Sequence, residues 1–122
     1  INGKAVTGHP FNNPVYFAYN KADISDTEHE KLSYLAKYLG DNPTYQLTIS
    51  GHADERGSEE YNRALSERRA LAVKKYVVSV DSSLEGRVST VGFGEEKPLD
   101  TTNSPEAHAK NRRAGFEFHI KK

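Results

Sequence analysis

The hydrophobic pattern is helical from Ser25 onward, where Leu32, Leu35, Ala36 and Leu39 recur at spacings of three and four and so share one face. Ser25 followed by Glu28 forms a capping-box pattern that opens this helix, and Gly40 with Pro43 ends it. From Tyr45 the period changes to two. Tyr45, Leu47 and Ile49 alternate with Gln46, Thr48 and Ser50, which predicts a strand running into a loop that starts at Gly51. A long helix follows from about Ser58 to Val78. After the break at Asp81-Ser82-Ser83 a third strand spans Arg87 to Val91, and Phe116, Phe118 and Ile120 alternate with Glu117 and His119 as a closing strand. Upstream, Val15 to Tyr19 is a short β-prone run that supplies the first strand. Ile1 to Pro14 is rich in Gly, Asn and Pro without a period, so it is expected to be a lead-in or tether segment, with the domain over 15–122. Gly92 to Lys110 reads as a long polar loop with a helical turn after Ser104, where Pro105 suits the first helical position. The order β-α-β-α-β-(α)-β predicts an α+β fold, an α/β sandwich in which two main helices pack on one mixed four-stranded sheet.

The second helix departs from the usual pattern. Turning about 100° per residue from Tyr61, Leu65, Ala72 and Tyr76 define a narrow apolar stripe, yet Asn62 and Arg69 fall in or beside it. Those two polar residues are seven apart, two turns from each other on one face with Leu65 between them. A guanidinium on the inward face of a helix needs an anionic partner. The nearest in sequence is Asp54, 69 − 54 = 15 residues upstream, in the loop bounded by Gly51 and Gly57. Residue types alone leave two readings. The pair is an internal ion pair that ties the loop to its helix, or it forms a small polar cleft with an acid at the mouth and an arginine on the wall.

Composition narrows the function classes. At 122 residues the chain is near the size of a single domain with its own core. Seventeen basic residues face 17 acidic ones and the pI is near 7.2, so there is no basic field to hold nucleic acid or an anionic membrane. No apolar run approaches the ~18 residues that span a bilayer, and no charged-then-apolar signal segment precedes the domain, so a soluble chain is expected. Cysteine is absent, which excludes disulfides, thiolate chemistry and cysteine-ligated zinc. His52 has no second histidine or carboxylate at the spacing of a helical zinc site, and His9, His29, His108 and His119 are scattered over other segments. No metal or cofactor is therefore expected, and His52 reads as a hydrogen-bonded loop-former at a strand end. Gly92-Phe93-Gly94 is not followed by a P-loop lysine and serine, so it reads as a turn.

Gly51-His52-Ala53-Asp54, Asn62 eight residues on, Leu65-Ser66 and Arg69 together resemble the signature of the OmpA-like peptidoglycan-binding domain. Within that family, Asp54-Glu55-Arg56-Gly57 with Tyr61-Asn62, Gly94-Glu95-Glu96-Lys97-Pro98, and Asn111-Arg112-Arg113 look like segments of its peptidoglycan-associated lipoproteins. The resemblance covers roughly Val15 to Phe118. It implies that Asp54 and Arg69 bind the free end of the diaminopimelate side chain in the peptidoglycan stem peptide. That end is a zwitterion, with an ammonium and a carboxylate on one carbon. Asp54 would accept from the ammonium and Arg69 would hold the carboxylate through its planar fork. Asn62 would add an amide group, and Leu65 would pack against the ligand's methylenes. The resemblance also assigns Tyr19, Asn20 and Arg56 to the cleft, with Tyr19 placed to stack on a ligand. Two positions depart from the lipoprotein pattern: Asn20 stands where an aspartate is common and Ala53 where a threonine is usual. Asn111, Arg112 and Arg113 are expected to be scaffold, pinning the long loop onto the sheet.

The further implications are a non-catalytic wall-binding module, a periplasmic protein partner, TolB, and a role in envelope integrity and cell division. The chain would then be the soluble portion of a longer lipid-anchored precursor on the periplasmic face of the outer membrane of a Gram-negative bacterium. Within the family the alternatives are a porin tail or a flagellar stator component. A stem-peptide hydrolase acting through Asp54, Glu55 and His52 is disfavoured, because no serine or cysteine nucleophile is paired with a base and a carboxylate engaged by an arginine stays ionised. A purely structural domain with a closed Asp54–Arg69 bridge is the remaining alternative.

Overall fold

The alternating segment Tyr45–Gly51 is the strand on which the sheet is built, with a hydrogen-bonded neighbour on each side. The computed structural model of the chain describes residues 3–5, 11, 14–18, 21–53, 58–94 and 104–121. In chain order the elements are β1 (Gly3–Ala5), β2 (Val15–Tyr16), α1 (Asp26–Asp41), β3 (Tyr45–Gly51), α2 (Glu59–Val80), a 3-10 turn (Ser82–Arg87), β4 (Val88–Gly92), α3 (Pro105–Asn111) and β5 (Arg113–Lys121). The sheet order is β1-β5-β3-β4, and β2 also pairs with β5. β3 and β4 are parallel, joined by α2 as the crossover that parallel neighbours require, whereas β5 runs antiparallel to β3. The expected α+β architecture, a mixed sheet with two main helices packed on it, is what the chain adopts, and β1 adds a fifth strand to the four expected.

Register explains the core. Leu47 lies opposite Phe118 on one side and Val88 on the other, and Ile49 lies opposite Phe116. All five are buried and share the face that meets the helices. α1 contributes Leu32, Leu35, Ala36 and Leu39, the face read from the sequence, and α2 contributes Ala70, Val73 and Val77. On the other face Thr48 stands opposite an exposed Glu117.

Several local expectations change. The capping box at Ser25 and Glu28 does not form: Ser25 is the N-cap, but its hydroxyl lies 3.0 Å from that of Thr27, and Glu28 pairs with Lys31 at 3.1 Å. Each group has found a competing local partner. Helix α1 also continues through Gly40 to Asp41. Local and distant donors share the carbonyls around its C-terminus: Leu39 O accepts from Asn42 N at 3.2 Å and Asn42 O from Tyr45 N at 2.9 Å, while Arg87 Nη2 stands 2.7 Å from both oxygens and its Nε donates to Tyr45 O at 3.1 Å. Two pieces of the segment read as a lead-in join the fold. Gly3–Ala5 pairs with the end of β5, and Phe11 is buried against Tyr34, Tyr38, Phe116 and Phe118. Burial, and then the neighbouring Tyr45, pushes the Tyr38 phenol of this cluster above its ordinary 10.0. β1 and β2 lie at opposite ends of the side of β5 that β3 leaves open. The turn expected after Ser104 is a two-turn helix with Pro105 at its start, and Ser104 Oγ caps it by accepting from Ala107 N at 3.1 Å.

Candidate functional site

Parallel strands β3 and β4 end side by side, with Gly51 opposite Gly92. The first half of α2 lies directly across these ends. A Cβ on Gly51 would stand 1.8 Å from Ser66 O, and one on Gly92 would stand 2.3 Å from the Glu67 side chain. Only residues without a side chain let the helix backbone come this close. Ser58 opens α2 by accepting from Tyr61 N at 3.1 Å.

The face that α2 turns inward here is largely polar. Asn62, Leu65, Ser66 and Arg69 are buried in its first half, and the apolar Ala70, Val73 and Val77 follow in the second. The stripe through Tyr61, Leu65, Ala72 and Tyr76 is thereby corrected. Tyr61 is 41% exposed and Tyr76 only partly buried, whereas Arg69 is 0% exposed. Tracing the stripe through apolar residues misplaced it, because this part of the helix faces loop backbone, which offers carbonyls in place of aliphatic side chains.

Arg69 stands where three segments converge. Its Nε donates to Lys21 O at 2.8 Å, Nη1 to His52 O at 2.9 Å and Nη2 to Ala18 O at 3.2 Å, while its Cζ lies 5.3 Å from the centroid of the Phe17 ring. Charge-assisted bonds to carbonyls, with an aromatic face beside the cation, compensate the loss of hydration of a buried guanidinium. The segment from Phe17 is fixed a second time: Phe17 N donates to Arg112 O at 2.9 Å and Arg112 Nε to Phe17 O at 2.8 Å. On the β3 side, His52 N donates to Arg113 O at 2.7 Å, and the His52 ring stacks on Phe93 with centroids 5.5 Å apart. Arg113 is itself buried, and that burial lowers its guanidinium pKa below the ordinary arginine value.

Of the site residues expected from the sequence, Arg69, Asn62 and Leu65 come together on one buried helix face. Asp54, Arg56, Tyr19 and Asn20 lie outside the described residues, as do Glu55 and the segment Glu95 to Pro98. Their chain neighbours are informative all the same. Ala18 and Lys21, whose carbonyls bind Arg69, flank Tyr19 and Asn20 directly, and His52 precedes Asp54 by two residues. Asn111 and Arg113 are buried, and the bonds of Arg112 and Arg113 tie the α3–β5 junction to Phe17 and His52. This is a scaffold role, although the segments pinned are those after β2 and β3. Sequence reasoning did not single out Phe17, nor the part taken by Ser66, which is 0% exposed beneath the two strand-ending glycines. The usable signal was the pair of glycines at Gly51 and Gly92, each at the end of a β-period run. Among the described residues, no group of three or more His, Asp or Glu side chains is placed to hold a metal ion, and no helix is long and apolar enough to cross a membrane.

Comparison with known proteins agrees with this architecture. A sequence model of the OmpA family matches residues 16–112. The peptidoglycan-associated lipoprotein of Pasteurella multocida is 43% identical over 106 residues, a stretch that spans 87% of this chain and 70% of that protein. The crystal structure of the peptidoglycan-associated lipoprotein from Burkholderia pseudomallei aligns with a TM-score of 0.81 at 32% identity, covering 87% of this chain and 89% of that one. The C-terminal domain of Helicobacter pylori MotB shares the fold, with a TM-score of 0.81 at 19% identity over 89% of this chain and 85% of that one. By sequence and by structure, the chain belongs to the OmpA family and, within it, to the peptidoglycan-associated lipoproteins.

Proposed function

We propose that this chain binds peptidoglycan without catalysis, gripping the free end of meso-diaminopimelate in the stem peptide. Arg69 holds the ligand carboxylate, Asp54 accepts from its ammonium, Asn62 and Leu65 line the wall, and Tyr19, Asn20 and Arg56 border the cleft. The observation that supports this reading best is a guanidinium buried to 0% exposure at the end of two parallel strands, bonded to the backbone beside Tyr19, Asn20 and Asp54. A fixed cation in a desolvated setting attracts a carboxylate far more strongly than one in bulk water. The likeness to peptidoglycan-associated lipoproteins supports reading the domain as the soluble part of a lipid-anchored protein. In this reading it faces the periplasm from the outer membrane, works in the Tol-Pal system that maintains the envelope and supports division, and has TolB as its protein partner.

The test is a titration of the folded domain, followed by amide shifts, with soluble muropeptides carrying meso-diaminopimelate or, in parallel, lysine. Lysine lacks the terminal carboxylate and so cannot engage Arg69. Saturable shifts around Asn62, Leu65 and Arg69 with the first ligand alone are expected. Absence of a response to either ligand would leave Arg69 a purely structural cation. Unchanged muropeptides after prolonged incubation are expected for a non-catalytic module, and a new cleavage product would contradict that part of the reading.

A further inference from the structure

Ser66 lies between the helix and the loops. Its hydroxyl donates to Arg63 O at 2.7 Å and accepts from Gly94 N at 2.8 Å, acting as donor and acceptor at once. Gly94 in turn accepts from Ala53 N at 2.9 Å, and Phe93 N donates to Gly51 O at 3.0 Å. Gly94 has φ 60, a left-handed conformation that a side chain would strain, and a Cβ there would stand 3.2 Å from the Arg63 backbone. These bonds form a relay from the middle of α2, through the turn after β4, to the amide of Ala53. Ala53 immediately precedes Asp54. On its other side His52 is held by Arg69 at its carbonyl and by Arg113 O at its amide. The chain is therefore pinned at two successive residues just before the candidate carboxylate.

We infer that Ser66 is a positioning residue for ligand binding: through Gly94 it fixes the backbone at Ala53, the residue that precedes Asp54 in the sequence. This rests on the diaminopimelate reading above and adds a residue that would not touch ligand. Ser66 is buried beneath Gly51 and Gly92, and its hydroxyl is already committed to Arg63 O and Gly94 N, so its part in binding is not a contact with ligand. Its effect must pass through backbone. A carboxylate displaced by even a fraction of an ångström loses much of an oriented, charge-assisted contact.

The experiment compares Ser66→Ala with Val77→Ala, a core truncation in the distal half of the same helix where Val77 is 0% exposed. Each folded variant is titrated with the meso-diaminopimelate muropeptide, its thermal stability is measured, and exchange of the Gly94 and Ala53 amides is followed. Ser66→Ala is expected to bind about tenfold more weakly, with faster exchange at both amides. Val77→Ala is expected to lose stability and keep wild-type affinity. Unchanged affinity in Ser66→Ala, or equal weakening in both variants, would overturn the positioning role while leaving the binding reading intact. A wild-type chain that gives no saturable response would overturn the binding reading itself, and this role of Ser66 with it.

Discussion

Arg69 directs three nitrogens at three backbone carbonyls from separate segments, which makes its shape as important as its charge. Lysine would preserve the cation but replace the planar fork with a single ammonium on a flexible stem. Arg69→Lys should leave at least one carbonyl among Ala18, Lys21 and His52 without its donor, lowering stability by about 1–3 kcal/mol. Thermal or urea denaturation checks this, and muropeptide affinity should fall with it. Retention of wild-type stability would mean that those carbonyls do not depend on the fork. The position of this arginine was legible in the sequence, because Asn62, Leu65 and Arg69 stand on one face at helical spacing. Its backbone partners were not. Every residue has a carbonyl, so nothing in the residue type marks Ala18 or Lys21 as an acceptor. The search for a side-chain anion pointed to Asp54 and passed over the backbone two residues before it.

At the level of elements, two serines at helix starts look alike in sequence and differ in the fold. Ser58 accepts from Tyr61 N, whereas Ser25 has no side-chain cap bond and turns to Thr27. Ser58→Ala should therefore destabilise by about 1 kcal/mol, and Ser25→Ala should have a much smaller effect, as measured by denaturant midpoint; equal losses would contradict the geometry. A third cap has a pH signature. Asp81 closes α2 and opens the 3-10 turn, and its Oδ1 accepts from Ser83 Oγ at 2.7 Å and Ser83 N at 3.1 Å. These bonds hold its carboxyl pKa below the ordinary 3.8, the hydroxyl contributing most. Because the folded pKa is depressed, the stabilisation is present above about pH 3.8 and is lost as pH falls through the lower folded value. Ser83→Ala should raise the Asp81 pKa part of the way back, read from its carboxyl carbon shift in an acid titration. Helix α1 and strands β3 and β5 were legible because their periods were clean, whereas the stripe drawn on α2 ran through the wrong residues. The capping box failed because local partners competed for both of its ends.

For the molecule as a whole, the order of elements from β2 to β5 could be read from the sequence, since most of them announced a period and the breaks were marked by Gly, Pro or Asp-Ser runs. The pairing of Gly3–Ala5 could not. Gly-Lys-Ala has no β pattern, and its place is offered by the side of β5 that β3 leaves open. Charge was legible too, and it has a functional consequence. With 17 basic and 17 acidic residues the chain has no long-range field to gather an anionic polymer. In the proposed reading, recognition of the wall depends on short-range contacts at a buried guanidinium, which mobile ions screen weakly. The affinity for a diaminopimelate muropeptide should change less than about threefold between roughly 0.05 and 0.5 M salt, as measured by titration calorimetry at both concentrations. A steep decline would instead place the binding energy in exposed lysines and arginines, and so move the site away from the buried Arg69.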